Sequence, residues 1–240
     1  MEIAKLFSNA GVTGTIVISP INEGKTFVHD DVRAGRRFPT ASTFKILNTL
    51  VSLEEDVISA SDTLEWDGVS REITEWNRDQ TLESAFRSSC VWYFQELARR
   101  VGVAKYKHYL ATSGYGELHE PLNETTFWLD GSLKMSATGQ VEFLKKVYRR
   151  SLPFKDSSYN SLRQIMLVEQ NSEYALRAKT GWATKSGPPI SWHVGWYVGY
   201  VETRKGTWFF AMNMDAPDQS VLPLRQKITR EALRVKGIIE

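Results

Sequence analysis

The order of apolar patterns along the chain predicts an α+β fold, with a central antiparallel β-sheet flanked by N- and C-terminal helices and a largely helical subdomain inserted between early and late strands. Three observations carry this expectation. Two β-branched runs lie near the N-terminus, three aromatic-rich runs lie after residue 173, and the residues between repeat at helical spacing. The 240 residues fit a single domain over 1–240, with its sheet part at about 1–42 and 169–240 and its helical part at about 43–168.

Taken in order, TGTIVIS (13–19) and TFVHD (26–30) read as a hairpin, separated by a polar turn. Ile46, Leu47, Leu50, Val51 and Leu53 then fall at helix spacing. Residues 81–101 predict one long helix, with Thr81 as N-cap and Gly102 just past its end. Shorter helices are expected at about 103–112, 137–150 and 157–168. The period returns to strands at 174–182, 191–202 and 207–214, and a helix at about 222–236 closes the pattern.

Composition narrows the function. A formal charge of +2 is too small to argue for nucleic acid or an anionic membrane surface, and no apolar run reaches the roughly 20 residues of a membrane span. The single cysteine, Cys90, excludes an internal disulfide. The segment MEIAKLFSNAG has no apolar signal core and no cleavage site, which fits either a cytosolic chain or a mature form restarted with methionine. His29, His108, His119 and His193 are scattered without H-E-x-x-H, which argues against a zinc hydrolase and a metal site. There is no G-x-S-x-G of the α/β-hydrolases. Monomer and homodimer both stay open.

Three short motifs carry chemistry. Ser42-x-x-Lys45 places a hydroxyl and an amine three apart, on one face of a helix, where a lysine made neutral can activate a serine. Roughly one S-x-x-K is expected by chance in a chain of this size, and alone the pair equally fits a capping serine and an exposed lysine. Lys179-Thr180-Gly181, on an expected strand, offers a cation, a hydroxyl and a bare backbone to an anionic ligand, or simply a polar edge strand. Ser89-Cys90-Val91 falls in the middle of the expected long helix, where a serine usually satisfies its own helix backbone.

Their joint order matches the set of the penicillin-recognising serine enzymes: S-x-x-K, a second serine motif, then K-T-G. The chain resembles the class D (oxacillinase-type) β-lactamases from about residue 12 to residue 230. Ser89 to Val91 reads as the S-x-V of that family, Phe127-Trp128-Leu129-Asp130-Gly131 is similar to its F-W-L-E-G, and Leu222-Pro223-Leu224-Arg225 matches its L-P-L-R. Gly195-Trp196 and the run from Phe209 to Asp215 resemble its late strands. Tyr115-Gly116-Glu117 departs from the usual Y-G-N by its glutamate, and that motif is left out of the site.

The resemblance implies hydrolysis of small-molecule β-lactams through a Ser42 acyl-enzyme. It implies no cofactor beyond a CO2-derived carboxylation of Lys45, which makes that lysine the general base. Val91, Phe94 and Leu129 would wall the carbamate pocket with Trp128, whose indole N–H would hydrogen-bond it. Ser89 and Lys179 would relay a proton to the lactam nitrogen. Thr180, with Gly181 beside it, and Arg225 would hold the substrate carboxylate, and the amides of Ser42 and Trp182 would form the oxyanion hole. A periplasmic or secreted location is implied in the same way. Two relatives stay open as alternatives: the β-lactam sensor domain of an inducible signal transducer, and a D,D-peptidase. Both normally carry a polar residue at the third position of the second motif, where this chain has Val91.

Overall fold

The computed structural model describes residues 2–185 and 192–240. Helix α1 (Ile3–Ala10) precedes strands β1 (Gly14–Pro20) and β2 (Phe27–His29), helix α2 (Asp31–Gly35) and strand β3 (Phe38–Pro39). A 3-10 turn over Ala41–Phe44 runs directly into α3 (Lys45–Glu54). Strand β4 (Thr63–Leu64), a 3-10 turn (Thr74–Trp76) and β5 (Gln80–Thr81) lead to α4 (Leu82–Arg87), α5 (Val91–Val101) and α6 (Val103–Ser113). Strands β6 (Glu117–Leu118) and β7 (Leu133–Met135) are followed by α7 (Ala137–Tyr148) and α8 (Asp156–Ile165). The sheet is completed by β8 (Leu167–Gln170), β9 (Tyr174–Lys185), β10 (Trp192–Thr203) and β11 (Gly206–Asp215), before the last helix, α9 (Pro223–Val235).

The main sheet has the order β2-β1-β11-β10-β9-β8, and every neighbouring pair is antiparallel. The α+β class holds, and the early hairpin joins the late strands as expected. Both faces are covered, so strands such as TWFFAMNM are apolar throughout rather than alternating. Ile16, Ile18, Phe210 and Met212 pack in one core with Ile3 and Phe7 of α1 and Ile228 and Leu233 of α9. Val17, Val198, Phe209 and Ala211 turn the other way, into a core shared with α3, α5 and α7.

Two expectations are corrected. The segment 81–101 forms two helices, not one. Thr81 does cap the first: its Oγ1 accepts from the Ser84 amide at 3.2 Å while Ser84 Oγ accepts from the Thr81 amide at 3.0 Å. Gly102 does close the second. Between them Ser88, Ser89 and Cys90 leave the helix, and Ser89 has φ +56°. The apolar positions Leu82, Ala85, Phe86, Tyr93, Phe94 and Leu97 stay in phase across the break, so periodicity cannot reveal it. The contacts do separate the pieces, because α4 packs on α8 whereas α5 packs on α3. The helix expected over 157–168 ends at Ile165, and Leu167–Gln170 form the edge strand of the sheet instead, with Leu167 opposite Arg177. Of the strand expected from residue 191, Ser191 lies outside the described residues, as does much of the 183–193 loop.

Gly199 shows how tightly β9 and β10 pack. A Cβ there would fall on the Arg177 carbonyl oxygen and 2.8 Å from Ala178 Cα, with backbone that cannot swing aside. Gly199→Ala is therefore expected to destabilise the chain by roughly 2–3 kcal/mol, a fall in Tm of about 2–4 °C per kcal/mol. Gly35→Ala, where an added Cβ meets nothing within 4 Å, serves as the control. Thermal melts that show equal Tm for the two variants would refute this account of the strand packing.

Candidate active site

Ser42 lies in the 3-10 turn and Lys45 opens α3. Residues three apart eclipse in a 3-10 turn, and the Lys45 amine donates to Ser42 Oγ at 2.8 Å. The turn is held in a strained shape, because Ala41, which has a Cβ, sits at φ +48°. Its neighbours impose this. The Ala41 amide donates to the Trp128 carbonyl at 2.9 Å, the Thr40 amide to Leu133 O at 3.1 Å, and the Trp196 indole to Pro39 O at 2.9 Å. Thr43 Oγ1 donates to Thr40 O at 2.6 Å and accepts from Gln140 Nε2 at 2.8 Å.

Lys45 is fully enclosed, and burial pushes its amine down to a pKa of about 7. The start of a helix is also unfavourable for a cation. The Phe94 ring centre lies 5.2 Å from Nζ. Trp128 stacks on Phe44 with centroids 5.4 Å apart, and its buried indole N–H has no hydrogen-bond partner among the described residues. Leu129, half-buried, packs against the same core, and Val91 begins α5 one turn before Phe94. Cys90 is buried close enough to Lys45 for their charges to interact, and burial pushes its thiol up, away from the thiolate.

Ser89 reaches the site from the break between α4 and α5. The Lys179 amine donates to Ser89 Oγ at 2.5 Å and to Thr180 O at 3.1 Å. Lys179 is 3% exposed; burial, then the charges of Lys45 and Arg225, push its pKa well below the usual lysine range. The two hydroxyl–amine pairs thus face each other from different elements.

The third side is the edge of β9. Strand β8 pairs with β9 from Ala175 to Arg177, so from Lys179 onward that edge is open and the Ser42 turn packs against it. Gly181 allows this approach, since a Cβ there would come 3.2 Å from Thr43 Cγ2 and 3.4 Å from Thr40 O. Arg225, on α9, donates to Gly181 O at 2.6 Å and to Leu222 O at 2.8 Å, and burial lowers its guanidinium pKa to about 10. Thr180 is half-buried beside Lys179. The Trp182 indole turns away, donating to Ala216 O at 3.0 Å, and its ring packs in the α9-side core.

Among the described residues no carboxylate contributes to the shifts of Lys45, Lys179 or Arg225. No group of three or more histidine, cysteine or acidic residues is placed to hold a metal, again among the described residues. The arrangement suits attack by a hydroxyl on the carbonyl of an anionic compound.

Several contributors were not legible in the sequence. Tyr115, left out with its motif, is buried with its hydroxyl 3.5 Å from Thr43 Oγ1, whereas Glu117 is exposed and pairs with Arg37 at 3.2 Å. Gln140 buttresses the Ser42 turn from a helix far along the chain, and no motif marks it.

Residues 18–234 match the family model of the penicillin binding protein transpeptidase domain. Beta-lactamase OXA-48 of Klebsiella pneumoniae is 41% identical over 227 residues, covering 94% of this chain and 84% of that protein. Beta-lactamase OXA-2 of Salmonella typhimurium is 37% identical over 234 residues, covering 96% and 82%. Among solved structures, the class D β-lactamase YbXI from Nostoc superposes with a TM-score of 0.94 at 36% identity, covering 99% of both chains. The class D β-lactamase from Bacillus subtilis gives 0.89 at 34% identity, covering 100% and 97%. With its two serine–lysine pairs set against an open strand edge, the chain belongs to the class D β-lactamases, serine enzymes that hydrolyse β-lactams without a metal.

Proposed function

We propose that Ser42 is the nucleophile of β-lactam hydrolysis and that Lys45, carboxylated on its amine by CO2, is the base for both acylation and deacylation. The observation that carries this reading is the enclosed Lys45 amine, 2.8 Å from Ser42 Oγ and with a pKa of about 7. A neutral amine is the form that adds CO2, and the apolar enclosure disfavours the competing ammonium. The residues present suit the added group: the Trp128 N–H, without a partner among the described residues, points to an acceptor, and the nearby Lys179 suits an anion. When present, the carboxylate supplies an anionic oxygen base.

On this reading, Ser42 Oγ bonds to the lactam carbonyl carbon and the ring C–N bond breaks. The amides of Ser42 and Trp182 receive the oxyanion, each worth about 3 kcal/mol. Ser89, held by Lys179, passes a proton to the departing nitrogen. Thr180 and Arg225 bind the substrate carboxylate, the arginine through its planar fork, while Gly181 leaves the strand edge open. Water then cleaves the ester and frees Ser42. A periplasmic or secreted setting is part of the same proposal; among the described residues no helix is long and apolar enough to cross a membrane.

Hydrolysis of a chromogenic cephalosporin tests the reading directly. Ser42→Ala is expected to abolish both burst and turnover. Lys45→Ala is expected to lower kcat/KM by about 10³-fold or more, and depleting CO2 is expected to slow the wild-type enzyme until bicarbonate is restored. A stoichiometric burst without turnover at any bicarbonate level would reject Lys45 as the deacylation base.

The lysine shift sets a pH dependence. Its amine is neutral above about pH 7 and ammonium below it, so carboxylation and turnover are expected to fall together as pH drops through 7. 13C NMR of enzyme equilibrated with 13C-bicarbonate should show a carbamate resonance that is strong at pH 8 and lost by pH 5. A resonance of constant intensity across that range, or none at pH 8, contradicts the proposal.

Trp128→Phe keeps the ring but removes the unpartnered N–H. It is expected to raise the bicarbonate concentration for half-maximal activity by about tenfold to a hundredfold, the worth of one hydrogen bond to a charged group. An unchanged bicarbonate requirement would remove Trp128 from the pocket's binding role.

A further inference from the structure

We infer that Trp76 is a positioning residue for Ser89: its indole N–H holds open the break between α4 and α5 that presents the Ser89 hydroxyl to Lys179. The inference rests on the proton-relay reading of Ser89 given above.

In an unbroken helix the Ser88 carbonyl would accept the amide of Trp92, four residues on. Here α4 stops at Arg87 and α5 starts at Val91, and the Ser88 carbonyl accepts the Trp76 indole N–H at 2.9 Å instead. The exchange is reciprocal. The Trp92 indole N–H, from the first turn of α5, donates to the Trp76 carbonyl at 2.8 Å. One tryptophan side chain thus takes the acceptor freed by the break, and a second, from beyond the break, fastens the first in place.

Such a clamp is needed because the apolar positions of 82–97 are in helical phase and favour continuation. The alternative shape costs backbone energy at Ser89, whose φ of +56° lies in the left-handed region. The Ser89 amide bonds to Phe86 O at 3.2 Å and the Cys90 amide to Ala85 O at 2.8 Å, a backbone stop that turns the chain out of α4 and leaves the Ser88 carbonyl for the Trp76 indole.

The segment that carries Trp76 is itself braced. Asn77 accepts from the Arg71 amide at 2.8 Å and donates to Arg71 O at 2.9 Å. Buried Gln80 donates to Glu75 O at 2.7 Å and accepts from Ser84 Oγ at 2.7 Å, which ties the 3-10 turn Thr74–Trp76 to α4. The Asp79 carboxylate takes the Trp66 amide at 2.8 Å. This fixed strap makes a rigid anchor for the helix break.

Trp76→Phe removes the N–H and keeps an aromatic ring. Stopped-flow acylation and steady-state kinetics with a chromogenic cephalosporin are measured for wild type, Trp76→Phe, Ser89→Ala and the double variant, together with Tm and amide hydrogen exchange. The acylation rate is expected to fall about tenfold in Trp76→Phe, with KM little changed and exchange faster at Ser88–Trp92 but not elsewhere. In the Ser89→Ala background the same substitution is expected to cost almost nothing further, because both act through one hydroxyl. An equal loss in both backgrounds makes Trp76 an independent substrate contact and overturns the inference, as does unaltered exchange at Ser88–Trp92. Full activity in Ser89→Ala alone would instead remove the relay reading, and the exchange data then judge the clamp by itself.

Discussion

The enclosed amine of Lys45 governs the architecture around it. A buried ammonium without a counter-ion costs several kcal/mol, and no carboxylate stands by to offset it. The protein resolves this by letting the proton leave, which the pKa of about 7 expresses. That solution works only while water stays out. The aromatic cluster of Phe44, Tyr106, Phe127 and Trp128 seals one side, Phe94 the other, and the Lys45 amine hydrogen-bonds the Ser42 hydroxyl. The packing of α3 against α5 is therefore part of the chemistry as much as of the core.

Two of the five non-glycine residues with positive φ among the described residues lie at the serine–lysine pairs. Ala41 and Ser89 both have a positive φ, and each adjoins or carries a hydroxyl aimed at a lysine. Left-handed backbone of this kind persists only where the surroundings over-determine it. At Ala41 the restraint comes from the carbonyls of Trp128 and Leu133 and from the Trp196 indole. At Ser89 it comes from the Ser89 and Cys90 amides, bonded back to Phe86 and Ala85, and from the Trp76 indole on the Ser88 carbonyl. In both places a tryptophan indole adds to backbone hydrogen bonds in holding the turn.

On the proposed function, the open edge of β9 is the place for an anionic substrate. Ending the pairing with β8 at Arg177 leaves the strand free from Lys179 onward. Arg225 crosses from α9 to the Gly181 carbonyl, so the helix on the far face of the sheet delivers a cation to the same cleft as the helical body. Burial lowers the pKa of all three cations, Lys45, Lys179 and Arg225, and an arriving anion would offset that strain.

The sequence by itself determined the early hairpin, the late strands, the closing helix, the Thr81 cap and the three motifs, because these depend on local period and on residue types at fixed short spacing. Ser42 and Lys45 share a face for that reason, and burial of Lys45 turns that spacing into a hydrogen bond. Tertiary structure decided the rest. The run 81–101 reads as a single helix, since Leu82 to Leu97 keep one phase, yet packing on α8 and on α3 pulls its halves apart and turns Ser89 outward. Likewise the state of the Lys45 amine depends on how completely Phe94, Trp128 and Phe44 exclude water from it. Solvation and strain are sums over contacts made by residues far apart in the chain, and no local pattern encodes them.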